Sequence, residues 1–208
     1  MPCRTLDCAS GAKSARRTVT PNGYSRAEEA TRREELASGV GVRSKLGILA
    51  ATTGSILFLD LLTKFGVQNS LHLYDSIPVI GDFFRLTYIH NPGAAFGLHL
   101  GPYSRFIFLG LAFVALGVLL VMYRQTPAED KLRLFAIGSI AGGALGNVID
   151  RIRSAAGVVD FLDFGIGNLR WPVFNIADTA VTIGAILLLA SLWAEDQQQR
   201  EKGTSETN

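Results

Sequence analysis

The chain has 208 residues, 48% of them hydrophobic, with a formal net charge of +2. The length suits one domain with polar ends. The small charge, with no basic stripe, excludes nucleic acid as a partner. Its two cysteines, Cys3 and Cys8, both lie in the polar N-terminal segment with no histidine at metal-ligand spacing, so no zinc site and no metal is expected. A cytoplasmic tail would keep both thiols reduced.

Apolar residues are concentrated between polar ends. Residues 1–45 read as a polar, disordered cytoplasmic tail. Within it, Glu28 with Arg32 and Glu29 with Arg33 have the i,i+4 spacing of a short surface helix. Residues 46–63, LGILAATTGSILFLDLLT, form the first candidate span; a crossing needs about 20 mostly apolar residues. Asp60 and Lys64 close it at i,i+4 spacing in the favourable acid-first order. The default reading is an ion pair that snorkels to the interface.

Residues 66–104 are too polar to span. Ser-Ile-Pro-Val-Ile, then Gly81-Asp82, then FFRLTYIHN predicts a hairpin. Asn91-Pro92-Gly93 follows and forces a turn. Residues 105–123 and 134–149 are the second and third spans, joined by a short charged loop. Gly138, Gly142 and Gly146 repeat every fourth residue in the third span. That small-xxx-small pattern predicts close helix contact, here placed within the bundle. Residues 157–174 predict a second strand pair around a Gly-Ile-Gly-Asn turn. Residues 176–194 are the fourth span, bracketed by Trp171 and Trp193 as interfacial aromatics. Residues 195–208 form a polar cytoplasmic tail. The predicted fold is thus an integral membrane, mainly α protein: a four-helix domain over residues 46–194 with small β-rich extracytoplasmic loops. Lysine and arginine are enriched in the N-terminal segment, the Arg124–Arg133 loop and the C-terminal end, which predicts both termini inside.

Residues 142–178 hold Asp150, Asp160, Asp163 and Asp178 with Asn147, Arg151 and Asn175. Ionisable residues this close to membrane helices need a reason. Two carboxylates held together share a proton, so one activates water while the other protonates a leaving group. His72, His90 and His99 all lie in or at the end of the first outer loop, and there is no Gly-x-Ser-x-Gly elbow for a serine nucleophile. Asp178 follows Asn175 by three residues. Asn175 as N-cap and Asp178 answering the helix dipole is the structural reading; a carboxylate fixed at the membrane surface is the functional one. Period-two alternation sends Asp160 and Asp163 to opposite faces, one to the site and one to water. Asp150, beside Arg151 and near Arg153, has a salt bridge as its default role. Spacing alone leaves both readings of Asp160 and Asp178 open.

Together these motifs resemble the lipoprotein signal peptidases (signal peptidase II) of bacteria. Asp60, Thr63 and Lys64 match D-x-x-T-K; HNPGAAF carries Asn91; GGALGNVIDR carries Asn147, Asp150 and Arg151; VVDF carries Asp160; and FNIAD carries Asn175 and Asp178. The resemblance covers roughly residues 45–195. It implies an aspartic endopeptidase of the bacterial cytoplasmic (inner) membrane, with four spans and its site at the extracytoplasmic face. Its partners would be prolipoproteins whose cysteine carries diacylglycerol, cut just before that cysteine, and membrane lipid. No cofactor is implied, and the protein is expected to be a monomer. Asp160 and Asp178 carry over as the catalytic pair. Asn91, Asn147, Arg151 and Asn175 carry over as residues that line or support the site; Asp60, Lys64 and Asp150 are structural. Gly157, Gly165 and Gly167 would let the second loop adapt. His90 and Pro92 depart from the family pattern, which often has tyrosine and a small polar residue there. Two rivals of other kinds are a proton-coupled carrier, which should show repeated halves or acids near mid-membrane, and a relative that binds lipoprotein without cutting it.

Overall fold

A computed structural model describes residues 26–93 and 101–206. Cys3, Cys8, His99 and the Ala94–Phe96 end of the loop motif lie outside the described residues. Four helices and four strands follow in order: α1 (Arg26–Ser70), β1 (Ser76–Ile80), β2 (Phe84–Asn91), α2 (Ser104–Gln125), α3 (Lys131–Arg153), β3 (Val158–Ile166), β4 (Leu169–Arg170) and α4 (Ile176–Glu206). The chain divides into two compact units, residues 1–40 and residues 41–208. The site lies wholly in the second.

All four expected spans are present: segments Val42–Ser70, Ser104–Gln125, Lys131–Arg153 and Ile176–Gly203 are long and apolar enough to cross a membrane. Their ends differ from the predicted ones. Helix begins at Arg26, within the stretch expected to be disordered, and takes in the Glu28–Arg32 and Glu29–Arg33 pairs. It also runs on past Thr63 to Ser70, and α4 runs past Ala194 to Glu206. Hydropathy marks where a helix leaves an apolar medium, not where its hydrogen-bond ladder stops. Extending a formed helix through Glu, Gln, Arg and Lys costs little.

α3 is the most buried span. Its glycines set the distance to both neighbours. A Cβ on Gly138 would come within 2.9 Å of Thr52 Cβ, one on Gly142 within 2.9 Å of the Thr53 carbonyl oxygen, and one on Gly146 would overlap the Asp60 carboxylate. The predicted stripe therefore packs against α1, within the bundle, and Thr53 Oγ1 donates to the Gly138 carbonyl at 3.1 Å. Gly143, on another face of α3, lies against the Ala177 carbonyl and Val181 of α4. Large apolar side chains on the outward faces, such as Phe58 and Phe65 of α1 and Phe113 and Val114 of α2, stay exposed. That arrangement suits lipid as solvent.

The predicted hairpins form, but as one antiparallel sheet in the order β1-β2-β3-β4. The first turn spans Gly81–Phe83 and the last strand has only two residues. β2 pairs β3 with Arg85 opposite Asp163, Ile89 opposite Asp160 and Asn91 opposite Val158, and a bulge interrupts β2 between Leu86 and Ile89. This pairing joins segments some 70 residues apart, which period-two patterning cannot foresee. It brings the asparagine turn after β2 to the start of β3.

Gly157 and Gly165 sit where a side chain would not fit. Gly157 has φ +105° and lies directly against the Asn91 carbonyl, and Gly165 packs on the Leu169 carbonyl within 2.5 Å of a built Cβ. Both permit close backbone approach. Gly167, at φ +57°, sits in the open turn between β3 and β4.

Candidate active site

Asp160 leaves the middle of β3 and Asp178 the first turn of α4. Asp160 is almost fully buried, at 1% exposure, and Asp178 is half-buried. Three asparagines tie the two together. Asn175 Nδ2 donates to Asp160 Oδ1 at 2.6 Å. Asn175 is also the N-cap of α4: its Oδ1 accepts from the Asp178 amide at 2.9 Å, while its own amide N–H reaches Asp178 Oδ2 at 3.4 Å. This reciprocal cap is the structural role read from the sequence, and it coexists with the contact to Asp160.

Asn91 Nδ2 donates to Asp160 Oδ2 at 3.0 Å, and Asn147 Nδ2 donates to Asp178 Oδ1 at 2.8 Å. In all three asparagines the amide oxygen is already engaged by donors. Gly93 N–H occupies Asn91 Oδ1 at 3.0 Å, which is what the Asn-Pro-Gly turn supplies. Lys64 Nζ at 3.1 Å and Asn175 Nδ2 at 3.2 Å occupy Asn147 Oδ1. The Asp178 amide occupies Asn175 Oδ1. Each amide nitrogen is thereby directed at an aspartate.

Burial, and next the charge of Asp178, push the Asp160 carboxyl up to about 7; hydrogen bonds from Asn91 and Asn175 pull the other way. A carboxyl that holds its proton near neutrality beside a second carboxylate has the properties of a shared-proton pair. A cavity of about 430 Å³ opens beside them, lined by Asn91, Asp178 and the apolar run from Trp171 to Phe174, and continuing along α4 past Thr179, Thr182 and Ile183.

Arg151 is buried at the end of α3. Its Nη2 donates to the Gly93 carbonyl at 2.9 Å and its Nη1 to the Asn147 carbonyl at 3.3 Å, so it braces the turn that presents Asn91. Asp150 does not pair with Arg151 or Arg153 as expected. Its Oδ2 lies 2.8 Å from Lys64 Nζ and accepts from Val159 N–H at 3.2 Å. Lys64 Nζ also lies 2.8 Å from Asp60 Oδ2. The Asp60–Lys64 pair does not snorkel: the residues are 0% and 2% exposed. The reason is Gly146, which lets α3 close over Asp60, while Asp60 Oδ1 accepts the Ala177 N–H of α4 at 2.9 Å.

Asp163 does not face water either. Arg170 Nε at 2.7 Å and Thr87 Oγ1 at 2.6 Å close over it, and Arg170 also reaches the Asp82 carbonyl at 3.0 Å. The Asp82 carboxylate takes the Gly167 amide and pairs with Arg85, so the two hairpin turns are clipped to each other. The Gly167 hydrogen bond, ahead of the two arginines, holds Asp82 below the usual carboxylate range. Sequence reading missed Thr87, Arg170 and Asp82 as sheet clips, and missed Arg105, whose guanidinium caps the Arg151 and Ile152 carbonyls at the end of α3. Their partners are 46 to 88 positions distant, apart from the local pairs of Arg170 and Asp82, and no local pattern announces them.

A family model described as signal peptidase (SPase) II matches residues 52–194. This chain belongs to the signal peptidase II family. It is 39% identical over 164 residues to the lipoprotein signal peptidase of Syntrophus aciditrophicus, covering 77% of this chain and 99% of that one. It is 44% identical over 142 residues to the lipoprotein signal peptidase of Halothermothrix orenii, covering 68% and 92%. A solved structure of a bacterial membrane enzyme superposes with a TM-score of 0.66 at 31% identity, covering 73% of this chain and 91% of that chain. The signal peptidase II match begins in α1 and ends in α4, so it takes in all four spans, the sheet and every residue of the network around Asp160 and Asp178.

Proposed function

We infer that this signal peptidase II is an aspartic endopeptidase that cuts diacylglyceryl-modified prolipoproteins just before the lipidated cysteine, with Asp160 and Asp178 as its catalytic pair. The observation that carries this reading is Asn175, whose side chain donates to the Asp160 carboxylate and accepts from the backbone N–H of Asp178, the aspartate that lines the cavity.

Asp160, the more buried carboxyl and the one pushed up to about 7, starts as the proton holder. Asp178 starts ionised, facing the Asn147 Nδ2 and the Asn175 N–H at the positive end of α4. A water between them loses a proton to Asp178 as its oxygen bonds to the scissile carbonyl carbon. The carbonyl oxygen takes the proton of Asp160, giving a neutral tetrahedral diol. Asp178 then passes its proton to the amide nitrogen, the C–N bond breaks, and a diol proton returns to Asp160. Asn91 and Asn175 keep Asp160 oriented through the cycle. Arg151 holds the Asn91 turn over the substrate.

The cavity's shape supports a lipid-borne substrate. Its walls along Thr182 and Ile183 belong to a membrane-spanning helix, so an apolar signal segment enters from the bilayer without leaving it. The Lys/Arg bias supports both termini inside and the sheet at the extracytoplasmic face. The test is cleavage by the purified monomeric protein in detergent. A prolipoprotein carrying diacylglycerol should be cut before its cysteine, and the same precursor without the lipid should be cut at least about 10-fold more slowly. Equal cleavage of both would refute the lipid requirement.

A further inference from the structure

We propose that Lys64 is a positioning residue for the reaction: its ammonium fixes which way round the Asn147 amide stands and so keeps a hydrogen-bond donor on Asp178. This rests on the reading of Asp178 as catalytic. Lys64 was expected to be structural, a helix-end charge. Its ammonium lies among three oxygens on two helices: it donates to Asn147 Oδ1 at 3.1 Å and is ion-paired with Asp60 Oδ2 and Asp150 Oδ2, each at 2.8 Å. An ammonium donates and accepts nothing, so the end of the Asn147 amide turned toward it must be the oxygen.

Asn147 is the side chain that joins this cluster to the Asp178 carboxylate, with its Nδ2 2.8 Å from Asp178 Oδ1. A flipped Asn147 would point its NH₂ at the Lys64 ammonium and at Asn175 Nδ2, and its oxygen at the Asp178 carboxylate. All three contacts would turn from attractive to repulsive. With Lys64 present, only the observed orientation is satisfied. With Lys64 replaced by an apolar chain, the orientation loses its charged anchor and rests on Asn175 Nδ2 at 3.2 Å and on the Asp178 contact itself. The charged groups around Asn147 and the pair are Asp60 and Lys64 from α1, Asp150 and Arg151 from α3, Asp160 from β3 and Asp178 from α4; β2 contributes the neutral Asn91. Lys64 is one of the influences that hold Asp160 down. Its removal therefore moves the cleavage profile to higher pH.

The experiment is single-turnover cleavage of a diacylglyceryl-modified prolipoprotein by the purified full chain across pH, with thermal unfolding of each variant. Lys64→Met leaves two buried carboxylates facing each other, so Lys64→Met/Asp60→Asn, which restores the local charge, is measured beside it. The expected result for the folded variants is a kcat at least about 10-fold lower, KM within about 2-fold, and an alkaline limb moved to higher pH. A third variant, Asn147→Asp, keeps the contact with Lys64 but can donate to Asp178 only when protonated, so its cleavage should recover as pH falls. Unchanged kcat and profile in the Lys64 variants, a loss confined to KM, or a wild-type profile in Asn147→Asp would overturn the proposal; if neither Lys64 variant folds, Asn147→Asp decides it. Asp178→Asn, run alongside, separates the two ideas. If it still cuts, the catalytic pair itself is wrong; if it is inactive while Lys64→Met is normal, only the role of Lys64 falls.

Discussion

Asn175 Nδ2 lies 2.6 Å from Asp160 Oδ1, and the same residue caps the helix that carries Asp178. One side chain thus does two jobs, starting α4 and satisfying a buried carboxyl. Asn175→Ala removes both. The lost cap costs about 1 kcal/mol and the buried Asp160 Oδ1 left without this donor a further 1–3 kcal/mol or so. The variant should unfold at a lower temperature than wild type and cut at least about 10-fold more slowly, measured by thermal unfolding in detergent and by cleavage.

Asp160, held at about 7, gives the protein two pH signatures. Its proton is required for the acid role, so cleavage should fall as pH rises through about 7. Stability should move the same way. The folded-state value is raised above the ordinary 3.8, so between these values the folded protein binds the proton and the unfolded chain does not. Stability from this group is full below about 4 and is lost as pH rises toward 7. Thermal unfolding at pH 5 and pH 8 should show the wild type losing more stability on going to pH 8 than Asp160→Asn does.

Gly143 sets the contact between α3 and the first turns of α4. A methyl group there would overlap the Ala177 carbonyl and reach Val181 Cγ2 at 2.8 Å. Because the obstacle is backbone, α4 must shift, at a cost of about 1–3 kcal/mol. Gly143→Ala should lower the unfolding temperature and also displace Asp178, one residue on from Ala177, so that kcat falls. Gly110→Ala, where a Cβ meets nothing within 4 Å, is the control and should leave both unchanged.

Asp163 is the neighbour that must be told apart from Asp160. Both are buried on β3, but Asp163 is ion-paired to Arg170 and takes the Thr87 hydroxyl. Asp163→Asn weakens the clip on the sheet while Arg170 keeps the Asp82 carbonyl. It should lower the unfolding temperature but keep kcat within about 3-fold of wild type.

The four spans, both hairpins, the within-bundle glycine stripe and the N-cap at Asn175 were legible because each is a local pattern of hydropathy, turn chemistry or helix spacing. The residues around Asp160 and Asp178 were legible as motifs in order. Their wiring was not. That Asp150 would take Lys64 rather than the arginines beside it depends on α1 meeting α3 at Gly146. That Asp163 would be covered depends on β4 folding Arg170 back across β3. That two hairpins would become one sheet depends on β2 finding β3. Each is a long-range pairing, and alternation or i,i+4 spacing says nothing about it.

The most direct test of the central claim is cleavage of a diacylglyceryl-modified prolipoprotein by Asp160→Asn and Asp178→Asn beside the wild type. Each substitution keeps the side chain's shape and removes one ionisable oxygen. The account predicts that both variants fold, insert in the membrane and lose cleavage by at least about 100-fold. Cleavage that survives either substitution at near the wild-type rate would contradict it.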